Sequence, residues 1–581
     1  MTGASLSRRQ VVRGLGALAA APVLRRPQAS RRGGPGGGDE LFRWGVASFD
    51  PTASGILLWT RARPDDGSPV PLRWQLFADA DLTRPVAGGT ATAEAGADHC
   101  VTVEATGLPA GGIWWYRFET ADGSAASPTG RTRTLPEGPV ARWRVATVSC
   151  SRYAAGGFAA YRALAGREVD LVVHLGDYVY EDGASDARAH DPPEELRTLD
   201  QYRRRYAQHR EDPDLQALHA RHPMVAVWDD HELAGNAWRD GAQGHDPSTG
   251  GPWDARRRAA TQAHGEWVPG RTRTGEDGRL VAWRSVLVGD LAEVLVLDAR
   301  SWRDRQPTAA TEVAQGRDRD LLGPEQRAWL EARLTRSDRP PWVLLANQVM
   351  LHPLRVPVPS AAVGAQVEAQ GFLVVDGLAL NPDQWDGYPA EREALLAAAG
   401  PEGGVVVLTG DVHSSWGWEG PGTDDDGRPA MVELVTPSVS AASLGDRLPV
   451  PPTVLEAAIA AVDPDLAYVE LTRHGYLLVD LGADEAQAEW WYVDPADPAS
   501  QAFGAARRTP RATPMHLAAV AGPRPDPAPT TTTTTVPPPP PTGAAGEPRD
   551  GRDGGPGLVV GGAIAAAATA AGAVVALRRR R

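Results

Sequence analysis

The chain contains no lysine; all 59 of its basic Lys/Arg positions are arginine. That excludes a lysine Schiff base or a lysine general base, because a guanidinium stays protonated at working pH. Cysteine is almost as scarce: Cys100 and Cys150 are the only two in 581 residues, too few for a disulfide scaffold. Neither a GxSxG elbow nor a GxxxxGK[ST] loop occurs, and nothing repeats at a fixed period. Positive charge is also short. The net charge is −14, and taking away the seven arginines of residues 1–32 and the four at 578–581 leaves the remainder near −25. A nucleic-acid binder needs a basic face to replace counterions, so that class is excluded. Bound cations would offset part of such an acidic surplus.

What the chain does have is four short apolar runs that each stop at metal-binding residue types. VATVSC ends at Cys150, and LVVHLGDYVY carries Asp177 and Tyr180. MVAVWDDHELAGN carries Asp230, His231 and Asn236, and VVVLTGDVH ends at Asp411 and His413. Short β-branched runs bounded by turn residues read as buried strands. In open α/β sheets, ligands sit beyond the carboxyl ends of the strands. Taken singly, Tyr180 reads as a core aromatic, Asp177 as a turn residue and Asp411 as a helix cap. Four strand ends with one pattern point instead to a multinuclear metal site.

The donor types divide in two. Thiolate, phenolate and imidazole from Cys150, Tyr180 and His413 suit a trivalent or soft metal, and the Asp177 carboxylate can bridge two cations. Asp230, Asn236 and Asp411 offer only oxygen, which suits calcium, magnesium or manganese. Gln348, at the end of WVLLANQVM, is a further candidate carbonyl donor. A Cys100–Cys150 disulfide is the alternative for the thiols. Cys100 sits mid-strand in HCVTVEA, however, whereas Cys150 ends a strand beside the site, and the ligand reading is preferred. Paired cations activate water and stabilise charge on a phosphoryl oxygen, so direct hydrolysis of a phosphate ester is the matching reaction.

Around this centre, residues 40–136 alternate short strands with Gly, Pro and Asp turns, predicting a small β-sandwich of immunoglobulin or fibronectin type. Residues 141–509 mix strands with helical segments such as Pro324–Arg336 and Ala390–Ala399, predicting an α/β/β/α layering. The ends speak of location. Ser7-Arg8-Arg9 ahead of a short apolar stretch makes residues 1–32 similar to a Tat signal peptide, with the Tat export machinery as partner. Residues 520–556 read as a disordered Pro/Thr stalk, and 557–577 as a transmembrane helix followed by a basic cytoplasmic tail, 578–581. The expectation is an ectodomain tethered at the outer face of the cell membrane.

These motifs resemble the PhoD-type alkaline phosphatase/phosphodiesterase family. The likeness runs through FRWGVASFDP, VSCSRY, HLGDYVYE, VWDDHELAGNAW, LDARSWR, LGPEQRAWL, WDGY and LTGDVHSSW, over about residues 42–495. It implies a metallophosphoesterase core akin to purple acid phosphatases, whose GDxxY is matched by Gly176, Asp177 and Tyr180. It further implies Fe(III) on Cys150, Asp177, Tyr180 and His413, and Ca(II), or another divalent cation, on Asp177, Asp230 or Asn236, and Asp411. His231 would contact substrate or protonate a leaving group, and Arg392 would grip phosphate. The family usually carries two asparagines after DDHE; here Gly235 precedes Asn236. Implied substrates are small phosphomono- or diesters, with lipid head groups (a phospholipase D activity) or cell-wall polymers as alternatives. A non-catalytic surface-binding protein is the reading of another class.

Overall fold

The computed structural model describes residues 38–275, 279–315, 319–420, 426–448 and 450–527. Two large sheets dominate. The first has ten strands, and its centre is the parallel set Arg142–Val148, Leu171–His174 and Met224–Ala226. The antiparallel strands His474–Gly482, Glu485–Asp494, Asp497–Pro510 and Ala518–Val520 extend it on one side. The second has seven strands, with Ala292–Val296, Trp342–Asn347, Val405–Thr409 and Met431–Val435 parallel at its middle.

Period-two alternation decides what each face of the second sheet covers. Leu344, Ala346, Val406 and Leu408 join the core shared with Val145, Val148, Val172 and Val225 of the first sheet. Their neighbours Val343, Leu345, Val405 and Val407 point the other way, onto Leu330, Leu334 and Leu395. Those leucines belong to the helices Gly323–Leu334 and Pro389–Ala399, each of which opens with proline in its first turn, where a missing N–H costs nothing. Near-continuous apolar runs such as WVLLAN and VVVLT are what burial on both faces requires.

The N-terminal strands are not a separate body. Gly55–Arg61 and Cys100–Thr106 share a core with the four-stranded sheet of Val70–Phe77, Pro85–Ala93, Ile113–Thr120 and Gly130–Arg133. Yet Val46–Phe49 pairs in parallel with Met224–Ala226, so the ten-stranded sheet runs unbroken from the core into this region.

Among the described residues no helix is long and apolar enough to cross a membrane. This corrects the expected anchoring at the outer face of a membrane. The run 557–577 on which it rested is rich in alanine and glycine, whose hydrophobicity is modest, and it lies outside the described residues. The twin-arginine segment 1–32, the basic tail 578–581 and the stalk from residue 528 onward also lie outside them.

Candidate metal centre

The four strand ends converge. Ligand atoms of Cys150, Asp177 and His413 lie within 4.8 Å of one another, as do those of Asp177, Asp229, Asp230 and Asp411, and Asp177 belongs to both groups. The two sheets meet here through a close approach at Gly410, where a side chain would stand 3.1 Å from Ser149 Cβ and 3.2 Å from Leu175 Cβ. Gly176, at φ +105°, passes so near Asp229 that an added Cβ would lie 2.5 Å from its backbone nitrogen. Those two glycines let the ligand-bearing turns touch.

On the sulfur and nitrogen side, the Tyr180 hydroxyl donates to Asp177 Oδ2 at 2.8 Å and lies 3.2 Å from His413 Nε2. Cys150 is fully buried, and burial, with Asp177 next, pushes its thiol well above the usual range. Burial does the same to the Tyr180 phenol. His413 is driven the other way, to about 3, by burial and then by Arg447, so its imidazole is neutral. Its Nδ1 faces the Ala442 carbonyl at 2.9 Å, leaving Nε2 directed at Asp177. Cys100 and Cys150 are separate buried thiols with no disulfide between them.

On the oxygen side, Asp230 Oδ2 accepts the Asn236 N–H, while Asp230 Oδ1 and Asp229 Oδ2 are buried without a hydrogen-bond partner. Burial pushes the Asp177 carboxyl up to about 6. It also raises Asp229 and Asp411. Burial opposes Asp230 too, but Arg300 and His231 outweigh it and hold that carboxyl below its ordinary range. Unpartnered buried acceptors beside several crowded acids are costly unless a cation joins them, so the donor set fits a metal. A second group, His352, Asp463 and Asp465, also lies within 4.8 Å. Its Asp463 Oδ2 is already taken by His352 Nε2 at 3.2 Å and Trp418 Nε1 at 3.1 Å.

Three residues that sequence reasoning missed organise the centre. Glu232, the acid of DDHE, accepts the backbone N–H groups of Asp177 at 3.0 Å, Tyr178 at 2.6 Å and Asp229 at 2.9 Å, and so locks two ligand turns together. Glu181 holds His231 Nδ1 at 2.6 Å and the Gly235 N–H at 2.6 Å. A side chain at 235 would approach that carboxylate to 3.2 Å, which accounts for glycine there. Arg300, with a fully buried side chain, reaches Asp229, Asp383 at 2.6 Å, Asp411 at 3.0 Å and Asp230 at 3.6 Å.

The matches to known proteins agree with this geometry. The family model described as PhoD-like phosphatase matches residues 145–490, and that for the PhoD-like phosphatase N-terminal domain matches 28–136. The chain belongs to the PhoD-like phosphatase family. It is 36% identical over 402 residues to alkaline phosphatase D of Bacillus subtilis (strain 168), a match spanning 64% of this chain and 65% of that protein's length. A solved structure of PhoD superposes with a TM-score of 0.73 at 29% identity, covering 84% of this chain and 94% of that one. The purple acid phosphatase PPD1 from yellow lupin (Lupinus luteus) seeds shares the fold, with a TM-score of 0.50 at 12% identity over 80% of this chain and 73% of its own.

Within this family member, seven of the ten candidate residues named from sequence border or build one cavity of about 420 Å³ or its floor: Asp177, Asp230, His231, Asn236, Asp411 and His413 line it, and Tyr180 bonds Asp177 beneath. Cys150 is behind them, in the same ligand cluster. Arg392 is not there, which corrects its expected phosphate-gripping place: it lies on the outer helix Pro389–Ala399 and pairs with Asp386 at 3.1 Å. Gln348 is also corrected. Its amide accepts from Ala299 N at 3.0 Å and donates to Leu297 O at 2.6 Å, so it ties strand ends together and does not line the cavity.

Proposed function

We propose that this chain is a metal-dependent phosphoester hydrolase. The reading rests on one observation: two donor sets of different chemistry, one with sulfur and nitrogen and one of oxygens alone, share the Asp177 carboxylate. Cys150, Asp177, Tyr180 and His413 would hold ferric iron, and Asp177, Asp230 and Asp411, with Asn236 beside them, would hold calcium or a similar hard cation. Such a pair, when bound, supplies Lewis acidity and a water activated for in-line attack at phosphorus.

The chain's own groups do the rest. Glu181 occupies His231 Nδ1, so Nε2 is the nitrogen left for the leaving-group oxygen. Tyr180 packs against that ring, tilted by 32° with centroids 4.3 Å apart, and steadies it. Arg447 takes the role expected of Arg392. It lines the cavity with its Nη2 2.9 Å from His413 Nδ1. The guanidinium has further N–H groups beyond that contact, and these would hold a phosphoryl oxygen.

Turnover of p-nitrophenyl phosphate, bis(p-nitrophenyl) phosphate and phosphatidylcholine by the purified chain, with elemental analysis, tests the reading. Asp177→Asn should abolish turnover in a folded protein, and Cys150→Ser should lower the iron content. A fully active Asp177→Asn enzyme would overturn the shared-carboxylate role.

A further inference from the structure

The cavity over the acidic cluster is also lined by side chains that the hydrolytic machinery does not use. Trp238, two residues past Asn236, forms part of one wall, and the exposed Arg305 lies 5.3 Å over its ring. Phe372 forms part of another. It comes from a cap built of the helix Ala361–Ala369 and the three short strands Val356–Pro357, Leu373–Val375 and Leu378–Leu380. Two residues past the helix end, Gly371 at φ +97° turns the chain just before Phe372, which borders the cavity.

Both rings are only half-buried, unlike most aromatics of this chain, and Phe372 makes no ring contact among the described residues. Arg305 covers part of Trp238 and Phe372 rests on an apolar cluster, but the exposed part of each ring is π surface that a flat ligand ring can cover. Gln243, Gln306 and Gln370 also line the cavity, and the buried Gln306 Oε1 has no hydrogen-bond partner; such amides suit the polar edge of a ring.

Building on the phosphoesterase reading above, we infer that the preferred substrates are phosphoesters whose organic group carries a planar ring, either an aryl group or a nucleobase. The phosphoryl group would sit at the acidic end beside Arg447, and the ring between Trp238 and Phe372.

The test compares kcat/KM for adenosine 5′-monophosphate, benzyl phosphate and glycerol 3-phosphate. All three expel a primary alcohol, so differences report the organic group rather than leaving-group acidity. Expected is a preference of about tenfold or more for the two ring-bearing esters over glycerol 3-phosphate, within the range one stacked ring gives. A lead for the nucleotide would mark the amides as base readers, and equal rates would mark the ring alone; both support the inference. Trp238→Ala and Phe372→Ala should each collapse the preference, and Phe372→Leu, a milder change on the cap, should reduce it. A ratio near one in the parent enzyme, or a ratio kept in both alanine variants, overturns the inference and leaves the hydrolase reading standing. No turnover of any of the three esters overturns the inference, and it sinks the hydrolase reading only if bis(p-nitrophenyl) phosphate and phosphatidylcholine are not turned over either.

Discussion

Replacing Arg300 by methionine keeps a long side chain and deletes one buried positive charge. In the folded chain its guanidinium is the shared partner of Asp229, Asp230, Asp383 and Asp411, and it is fully enclosed. Removing one member of a buried ion pair costs about 3–5 kcal/mol, because the other member is stranded. Here four carboxylates lose their common counter-charge, and Asp383 alone keeps a second arginine, Arg303 at 2.6 Å. A loss of that size is a large share of the 5–15 kcal/mol that typically holds a domain folded. The stranded acids also form a better cation site than the parent presents. An ion at 100 times its dissociation constant returns about 2.7 kcal/mol. Urea unfolding of Arg300→Met and parent, each with chelator and with calcium, should therefore show a deficit of about 3–5 kcal/mol in chelator that calcium narrows. Calorimetric titration should count one more calcium per chain in the variant. A deficit below about 1 kcal/mol in chelator, or equal calcium gains for both proteins, would refute the reasoning, since a solvated pair is worth no more than that.

Three further outcomes follow from the same accounting. Burial raises the Glu391 carboxyl to about 7 although it accepts the N–H groups of Leu321 and Leu322. A carboxyl that binds its proton more tightly when folded favours the fold most below its unfolded pKa and loses that advantage as pH rises through 7; Glu391→Gln should thus gain about 3 kcal/mol relative to parent between pH 4 and 8 by chemical denaturation, and a pH-independent difference would count against it. Glu181→Gln should lower kcat by about 10–100-fold with metal content unchanged, the usual effect of removing a group that orients a site residue, checked by steady-state kinetics alongside elemental analysis. Glu232→Gln should leave one of its three backbone donors facing an amide NH2 and cost about 1–3 kcal/mol in thermal or urea unfolding.

The ligand-bearing strand ends were legible because each is a local pattern: an apolar run, a break, then a donor. The near-continuous apolar run VVVLT likewise reads as a buried strand. The supports were not legible, because they act across the chain. Glu232 looks like any acid until its oxygens are seen on the backbone of Asp177 and Tyr178, more than 50 residues earlier. Arg300 has a readable signal: it follows the strand Ala292–Val296 in LDAR, at a strand end like the metal donors, but as a cation among them. Arg392 misled for the opposite reason. A basic residue within a family motif suggested phosphate, and only the placement of its helix reveals Asp386 as its partner. The pairing of Val46–Phe49 with Met224–Ala226, which joins the N-terminal strands to the core sheet, leaves no local trace either.

Backbone conformation at the centre carries its own argument. Among the described residues ten non-glycine residues have positive φ, and five of them are candidate ligands: Cys150 at 60°, Asp177 at 55°, Asn236 at 52°, Asp411 at 56° and His413 at 54°. Left-handed backbone costs a residue with a side chain about 1–2 kcal/mol, and glycine would adopt it freely. A fold selected for stability alone would place glycine at such positions, as it does at Gly176 and Gly377. Keeping a thiol, three carbonyl-bearing side chains and an imidazole there means that the side chains are worth more than the strain. The left-handed turn also explains the aim. It reverses the chain at once after the strand, so that residues from both sheets face one another across a gap that Gly410 keeps narrow. Strain concentrated at the ligands, with relaxed glycine beside them, is the distribution expected where the geometry serves a bound group rather than the fold.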